Sequence, residues 1–225
     1  MNKRRAVFFL LVAGLIPVGL RADTVVSAKI RQTEIRSAVV LPVQKDIARK
    51  AQGLPRPDSE SPELDLYRFG QMVVDALRER GITVAEARPE PTSLPSTKAA
   101  ISEAQTSYDE LAGDLIRNRQ GVEKGTFNLG GVLPKLGHEI AADAFVFVRA
   151  QTAYESGGLL GKALKMVTGP AFIDGYVSLV DGHKGEVLFF TTVACYVNEQ
   201  DVCARRLRKA FRKLPAPAPS LPGTK

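Results

Sequence analysis

Two histidines and two cysteines are all that this chain of 225 residues contains, and the scarcity removes several chemistries together. Protein metal centres are assembled largely from His and Cys side chains, three or four at a time. His138 falls on a helix and His183 in a turn, and with Asp143 or Asp181 they make only a thin ligand set, so no metal is expected. Serines and threonines are scattered without a paired base, which leaves nucleophilic catalysis without support. A phosphate-cradling fingerprint is missing as well. The glycines of GTFNLGG (Gly125, Gly130, Gly131) lack the dinucleotide spacing and follow no clear strand, so Gly121–Gly131 reads as a flexible connection. The expectation is a protein that is not an enzyme and uses no cofactor.

Long apolar runs are also absent, with one exception. After the basic start MNKRR comes Ala6–Leu20, short of the roughly 20 residues a spanning helix needs, followed by the small residue Ala22. Residues 1–22 therefore read as a cleaved signal peptide. No cysteine follows that run to carry acyl chains, so the mature protein is expected in the periplasm or exported, without a lipid anchor. The formal charge of +7 also shrinks on cleavage. Lys3, Arg4, Arg5 and Arg21 leave with the leader, and 27 basic side chains then face 24 acidic ones. That balance argues against nucleic acid as a partner.

What is present is the pattern of an α/β domain over residues 23–214. Asp23–Arg36 alternates loosely, as an edge strand or ordered arm would. Ser37–Val43 is a compact strand ending at Pro42, where a ladder donor is lost. Gln44–Glu63 is a proline-rich exposed loop. Leu64–Arg80 repeats Leu66, Phe69, Val73, Ala76 and Leu77 at helical spacing and stops at Gly81, before a strand at Ile82–Ala85. A helix over Thr97–Arg119 follows, then a short amphipathic helix from Leu133. Phe145, Val146, Phe147 and Val148 form an unbroken apolar run, as a strand covered on both faces requires. Ala171–Val197 is a hairpin turning at Asp181–Gly185, with Asp181-Gly182 supplying the positive-φ positions. Asp201–Leu214 is the last helix, and residues 215–225 form a Pro-rich disordered tail. The order is β-α-β-α-α-β-β-β-α, a single mixed sheet of about five strands packed with helices.

SAVVLPV, the helix ending in LRERG, ITVAEA, KLGHEIAADAFVFVRA and YVSLVDGHKGEVLFFTTV together resemble an envelope α/β domain of bacterial exported proteins. It occurs in the curli-secretion channel lipoprotein, the amino-terminal domain of the Tol-system propeller protein and the lipoprotein activators of penicillin-binding proteins. The resemblance spans most of residues 37–214 and implies assembly or envelope roles rather than catalysis. The missing lipid-anchor cysteine departs from the lipoprotein members.

Three features are candidate sites. Cys195 ends the last strand and Cys203 opens the last helix, close enough in an exported chain for a structural disulfide. Gly157–Gly169 sets Leu159, Leu160, Leu164 and Val167 along one helical face, as a short helix on its own sheet or a contact with membrane or protein would. Arg205, Arg206, Arg208, Lys209, Arg212 and Lys213 are assigned to the outer side of the last helix, facing solvent, anionic lipid or an acidic partner. The expected role is binding or assembly with an envelope protein, an anionic membrane surface or further copies of the chain. The alternative is a small-molecule or glycan-binding module whose pocket is lined by the loops Gln44–Glu63 and Gly121–Gly131.

Overall fold

The structure, a computed structural model, describes residues 23–45, 62–87, 95–153, 172–196 and 199–217. One mixed sheet organises them. Its strands are β1 (Asp23–Val26), β2 (Ser37–Val40), β3 (Gln44–Lys45), β4 (Thr83–Glu86), β5 (Ala144–Ala153), β6 (Phe172–Asp181) and β7 (Val187–Tyr196). The spatial order is β1-β7-β6-β5-β2-β4, with β3 paired to β5 beyond the end of β2. β2, β3, β4 and β5 are parallel, and β5-β6-β7 is an antiparallel meander to which β1 adds antiparallel. The sequence reading of about five strands is corrected by two. The arm at Asp23 pairs as β1, and the strand that breaks at Pro42 resumes as β3.

Five helices are described: α1 (Pro62–Arg78), α2 (Pro95–Arg117), α3 (Arg119–Glu123), α4 (Val132–Glu139) and α5 (Gln200–Phe211). Strand alternation divides the core between the two sheet faces. Val146, Val148 and Ala150 of β5 pack with Phe69, Val73 and Leu77 of α1 and Leu207 and Phe211 of α5. Phe145 and Phe147 pack with Tyr108 and Leu115 of α2 and Leu133 and Leu136 of α4. The apolar run of β5 is thus covered on both sides. The Phe69 ring fits closely over Gly175 of β6, where a Cβ would stand 2.3 Å from the ring's Cζ.

The end of the sheet where the parallel strands begin, the lower end, is tied by one carboxylate. Asp143 Oδ2 accepts from the amides of Arg36 (2.9 Å) and Ser37 (2.8 Å) and from the Ser37 hydroxyl (2.9 Å). The Asp143 carbonyl accepts from Gly182 N at 2.8 Å, which fixes the β6–β7 turn against the start of β5. The turn itself corrects the sequence reading. Positive φ falls on Gly185 (72°), not on Gly182. Gly182 is needed for a different reason: a Cβ there would meet the Ala142 carbonyl oxygen at 2.6 Å. Asp181 Oδ1 accepts from the amides of His183 and Lys184, holding the turn from inside.

Burial by itself would raise the Asp143 carboxyl, but the Arg36 and Ser37 amides, the Ser37 hydroxyl and nearby His183 outweigh it and hold it below its usual range. A lowered folded value means that this contribution to stability is present above the unfolded pKa of about 3.9. It is lost as pH falls from there through the folded value. Asp143→Asn is expected to cost about 1–3 kcal/mol at neutral pH and to flatten the acid limb of the stability curve. Denaturant melts from neutral pH to about pH 3 check this; an unchanged acid limb would remove the role given to the carboxylate.

Gly121–Gly131 is also corrected from a flexible connection to an ordered one. Asn118 Oδ1 accepts from Gly121 N to start α3, Asn128 bridges Glu186, and Leu129 N donates to Gly185 O at 2.9 Å. Pro215–Pro217, expected in the disordered tail, border a hollow together with Ile35 and Ile82.

Candidate functional site

The upper end, where β2, β4 and β5 finish, is built differently. Leu41 N still reaches Val146 O at 2.9 Å, Pro42 then has no amide to give, and the strand restarts with Gln44 opposite Arg149. Arg149 continues the Phe145–Phe147 face of β5, so it lies under α2 where the apolar core stops. Tyr108 of α2 stacks on Phe147 with centroids 4.5 Å apart, and the next residue, Asp109, faces the arginine. Arg149 Nε is 3.5 Å from Asp109 Oδ1, and Gln44 Nε2 donates to Asp109 Oδ2 at 3.1 Å. On β6, Tyr176 pairs opposite Arg149, and its hydroxyl donates to Asp174 Oδ2 at 3.0 Å. Gln105 of α2 donates to the Pro42 carbonyl, and Gln71 of α1 to Glu86 at the end of β4.

This end carries the crossing-over of the chain. β2 leads to α1 on one face of the sheet and its neighbour β4 leads to α2 on the other. In open α/β sheets that divergence opens a crevice beyond the carboxyl ends of the strands. The connections 46–61, 88–94 and 154–171, outside the described residues, all leave from it. Tyr67, 52% exposed, and Leu64 stand at the adjoining amino-terminal part of α1. The arrangement offers amides, carboxylates, one guanidinium and an aromatic ring. It suits hydrogen bonding and contact.

Beneath the row, the Tyr108 hydroxyl and Ser178 Oγ are 2.7 Å apart and buried. Burial drives the Tyr108 phenol up to about 12, the Ser178 hydrogen bond only moderating it. With the folded value raised, this contribution is whole below the unfolded pKa of about 10 and is lost as pH rises from there toward the folded value. Tyr108→Phe is expected to cost about 1–2 kcal/mol because Ser178 loses its partner. Adding Ser178→Ala should recover part of that loss. A double-mutant cycle measures it, and strictly additive losses would show that the pair is not coupled.

The sites read from the sequence are distributed as follows. Cys195 and Cys203 are joined, with Cα atoms 5.5 Å apart and both residues 1% exposed. Of the six cations assigned to the outer side of the last helix, three bond to other elements of the fold and Arg205, still exposed, bonds within its own helix. Arg206 reaches the Ala194 carbonyl, Arg208 Nε donates to Glu79 at 2.8 Å, Lys213 Nζ to the Thr24 carbonyl at 2.9 Å, and Arg205 Nε to Asp201 O. Lys209 and Arg212 stay exposed, with no partner among the described residues. Gly157–Gly169, with Leu159, Leu160, Leu164 and Val167, lies outside the described residues; its flanks, Ala153 and Phe172, pair at the upper end. His183 is exposed in the lower turn. Of the two loops expected to share a ligand pocket, residues 46–61 of the first lie outside the described residues. Gln44 is at the upper end, whereas Asn128 and Leu129 are bonded to the lower turn. Gln44, Asp109 and Tyr176 were not singled out from the sequence, and the one available signal was an arginine ending an apolar strand.

No family model matches the chain, and no curated protein does. Solved structures are similar at low TM-score. A PelC dodecamer from Paraburkholderia phytofirmans has a TM-score of 0.43 and 12% identity, covering 87% of this chain and 96% of its own. The LpoB C-terminal domain from Salmonella enterica has a TM-score of 0.34 and 10% identity, over 73% and 84%. The lipoprotein GNA1162 from Neisseria meningitidis has a TM-score of 0.33 and 16% identity, over 72% and 80%. At these values none assigns a role to any residue of this chain.

Proposed function

We propose that this chain is a non-enzymatic module of the bacterial envelope, exported with loss of residues 1–22, that works by binding a protein partner or further copies of itself through the upper end of its sheet. The observation that supports this is the contrast between the two ends. The lower one is tied by the Asp143, Asp181 and Asn128 hydrogen bonds. The upper one carries the Gln44–Asp109–Arg149 row on the α2 face of the sheet and exposed Tyr67 and Leu64 on α1, over the other face. Exposed apolar side chains and a set of polar groups at one end of the sheet supply the anchor and the polar rim of a contact. A membrane surface is the weaker reading. Arg208 is paired with Glu79, and Arg206 and Lys213 reach backbone carbonyls, which leaves Arg205, Lys209 and Arg212 to face an anionic surface at roughly 1 kcal/mol each.

Photo-crosslinking in intact cell envelopes tests the reading. A crosslinking side chain in place of Tyr67 is expected to give a discrete protein adduct, and one in place of Lys184 at the lower turn to give none. Adducts to lipid alone, or equal protein adducts from both positions, would overturn the assignment. Intact mass of the same preparation should place the amino terminus at Asp23.

A further inference from the structure

A second surface lies at the opposite end, and it is concave. Between the 3-10 helix Ala28–Gln32 and the chain leaving α5 is a hollow of about 480 Å³, within the size range of ligand sites. Val26, Ala28, Ile30 and Leu214 supply apolar wall, and Arg31 and Lys213 stand on the rim. No carboxylate lines it among the described residues. Arg31 is exposed and has no ion-pair or hydrogen-bond partner among the described residues.

The hollow adjoins the edge of β1 that pairs with no strand among the described residues. Ser27 N donates to Leu188 O at 2.9 Å, so by ladder alternation the backbone groups of Thr24 and Val26 point away from β7. The edge is closed above this point. Lys213 Nζ occupies the Thr24 carbonyl, and Asp23 is ion-paired with Arg119. Val26 is the one outward position of β1 that borders the hollow. An edge strand with outward amide and carbonyl accepts another extended chain, and a pocket beside it selects alternate side chains.

We infer that this groove is a peptide-binding site for an extended segment bearing an apolar and an acidic side chain on the same face. The backbone of the segment pairs at Val26, its apolar side chain enters between Ala28 and Leu214, and its carboxylate meets Arg31. The apolar lining argues against a small hydrophilic anion, and the outward strand edge favours a peptide over a lipid. The site is independent of the upper end, and its failure would leave the proposed function standing.

The test uses the mature chain and labelled synthetic peptides, read by fluorescence anisotropy. One peptide places Leu and Asp alternately on one face of a strand and Thr on the other; its counterpart has Lys for Asp. The Asp peptide is expected to bind about tenfold more tightly than the Lys peptide. Arg31→Glu should remove that preference, and Ala28→Trp, which fills the groove, should weaken the Asp peptide about tenfold. Lys184→Glu should change neither. Thermal melts confirm that both groove variants fold. No binding of either peptide, equal binding of both, or unchanged affinity in folded Ala28→Trp would overturn the inference. So would binding that appears only after residues 218–225 are deleted, because the groove would then belong to the chain's own tail. Binding of anionic vesicles in place of peptide, abolished by Arg31→Glu, would assign the site to lipid instead.

Discussion

Gly175→Val is expected to destabilise the fold by about 3 kcal/mol, the upper end of the usual cost of overpacking. Gly175 lies mid-strand in β6, between Ala150 of β5 and Val193 of β7, so the backbone has neighbours on both sides and cannot step back. The Phe69 ring lies against it, with Cζ and Cε1 2.3 and 2.6 Å from where a Cβ would be. Phe69 is fully buried among side chains of α1, α5 and the sheet, which leaves the ring no free volume to enter. Phe69→Ala alone should cost about 3–5 kcal/mol through the cavity it leaves. The combination should cost clearly less than the two losses added, because valine then fills space that the ring has vacated. Urea midpoints of the three variants measure this. A Gly175→Val protein within about 1 kcal/mol of the parent would show that the ring shifts cheaply, and that the glycine is not required by packing.

That contact was out of reach of the sequence, because Phe69 and Gly175 are separated by most of the domain. What could be read was what a local pattern dictates. Phe145–Val148 announced a strand covered on both faces because no polar residue interrupts it. Leu66, Phe69, Val73 and Leu77 announced α1 because a helix facing one layer needs that spacing. β1 was ambiguous, since an edge strand of four residues has one neighbour and too few alternations to declare itself. β3 was hidden by Pro42, whose missing amide marks a break but not the resumption of pairing two residues later.

At the turn, sequence chemistry and tertiary packing were confused. Asp181-Gly182 has the composition of a positive-φ turn, yet the positive φ is at Gly185, and Gly182 is small because the Ala142 carbonyl passes above it. The cations of α5 show the same limit. Helical spacing could place Arg206 and Lys213 on one stripe, but not reveal that this stripe faces the carbonyls of Ala194 and Thr24. The candidate site was the least legible part. Gln44, Asp109 and Arg149 come from three separate elements and meet only when β3 pairs with β5 and α2 crosses above them.

Loss of the Cys195–Cys203 bridge is the other change expected to act strongly, at roughly 2–5 kcal/mol. The bridge spans a sequence separation of 8 residues, and a loop that small accounts for roughly 2–3 kcal/mol in the chain-entropy description. The remainder depends on what replaces the sulfurs. Both cysteines are buried in the core shared by α1, α5 and the sheet, so Cys195→Ser with Cys203→Ser leaves two hydroxyls without assured partners. Cys195→Ala with Cys203→Ala removes the cross-link without that penalty and should be the milder pair. The difference between the two double variants separates desolvation from chain entropy. The cross-link also fixes where α5 begins, before Leu207 packs and Phe211 stacks on Phe189 at 5.0 Å. Reduction should therefore accelerate amide exchange first in α5 rather than in β5. Alkylation of the unreduced folded protein should leave both cysteines unlabelled, and reduction under denaturing conditions should expose two thiols. Quantitative labelling without reductant would mean that the bridge is absent in solution, and α5 would then be held by its packing and by hydrogen bonds such as those of Arg206 and Arg208.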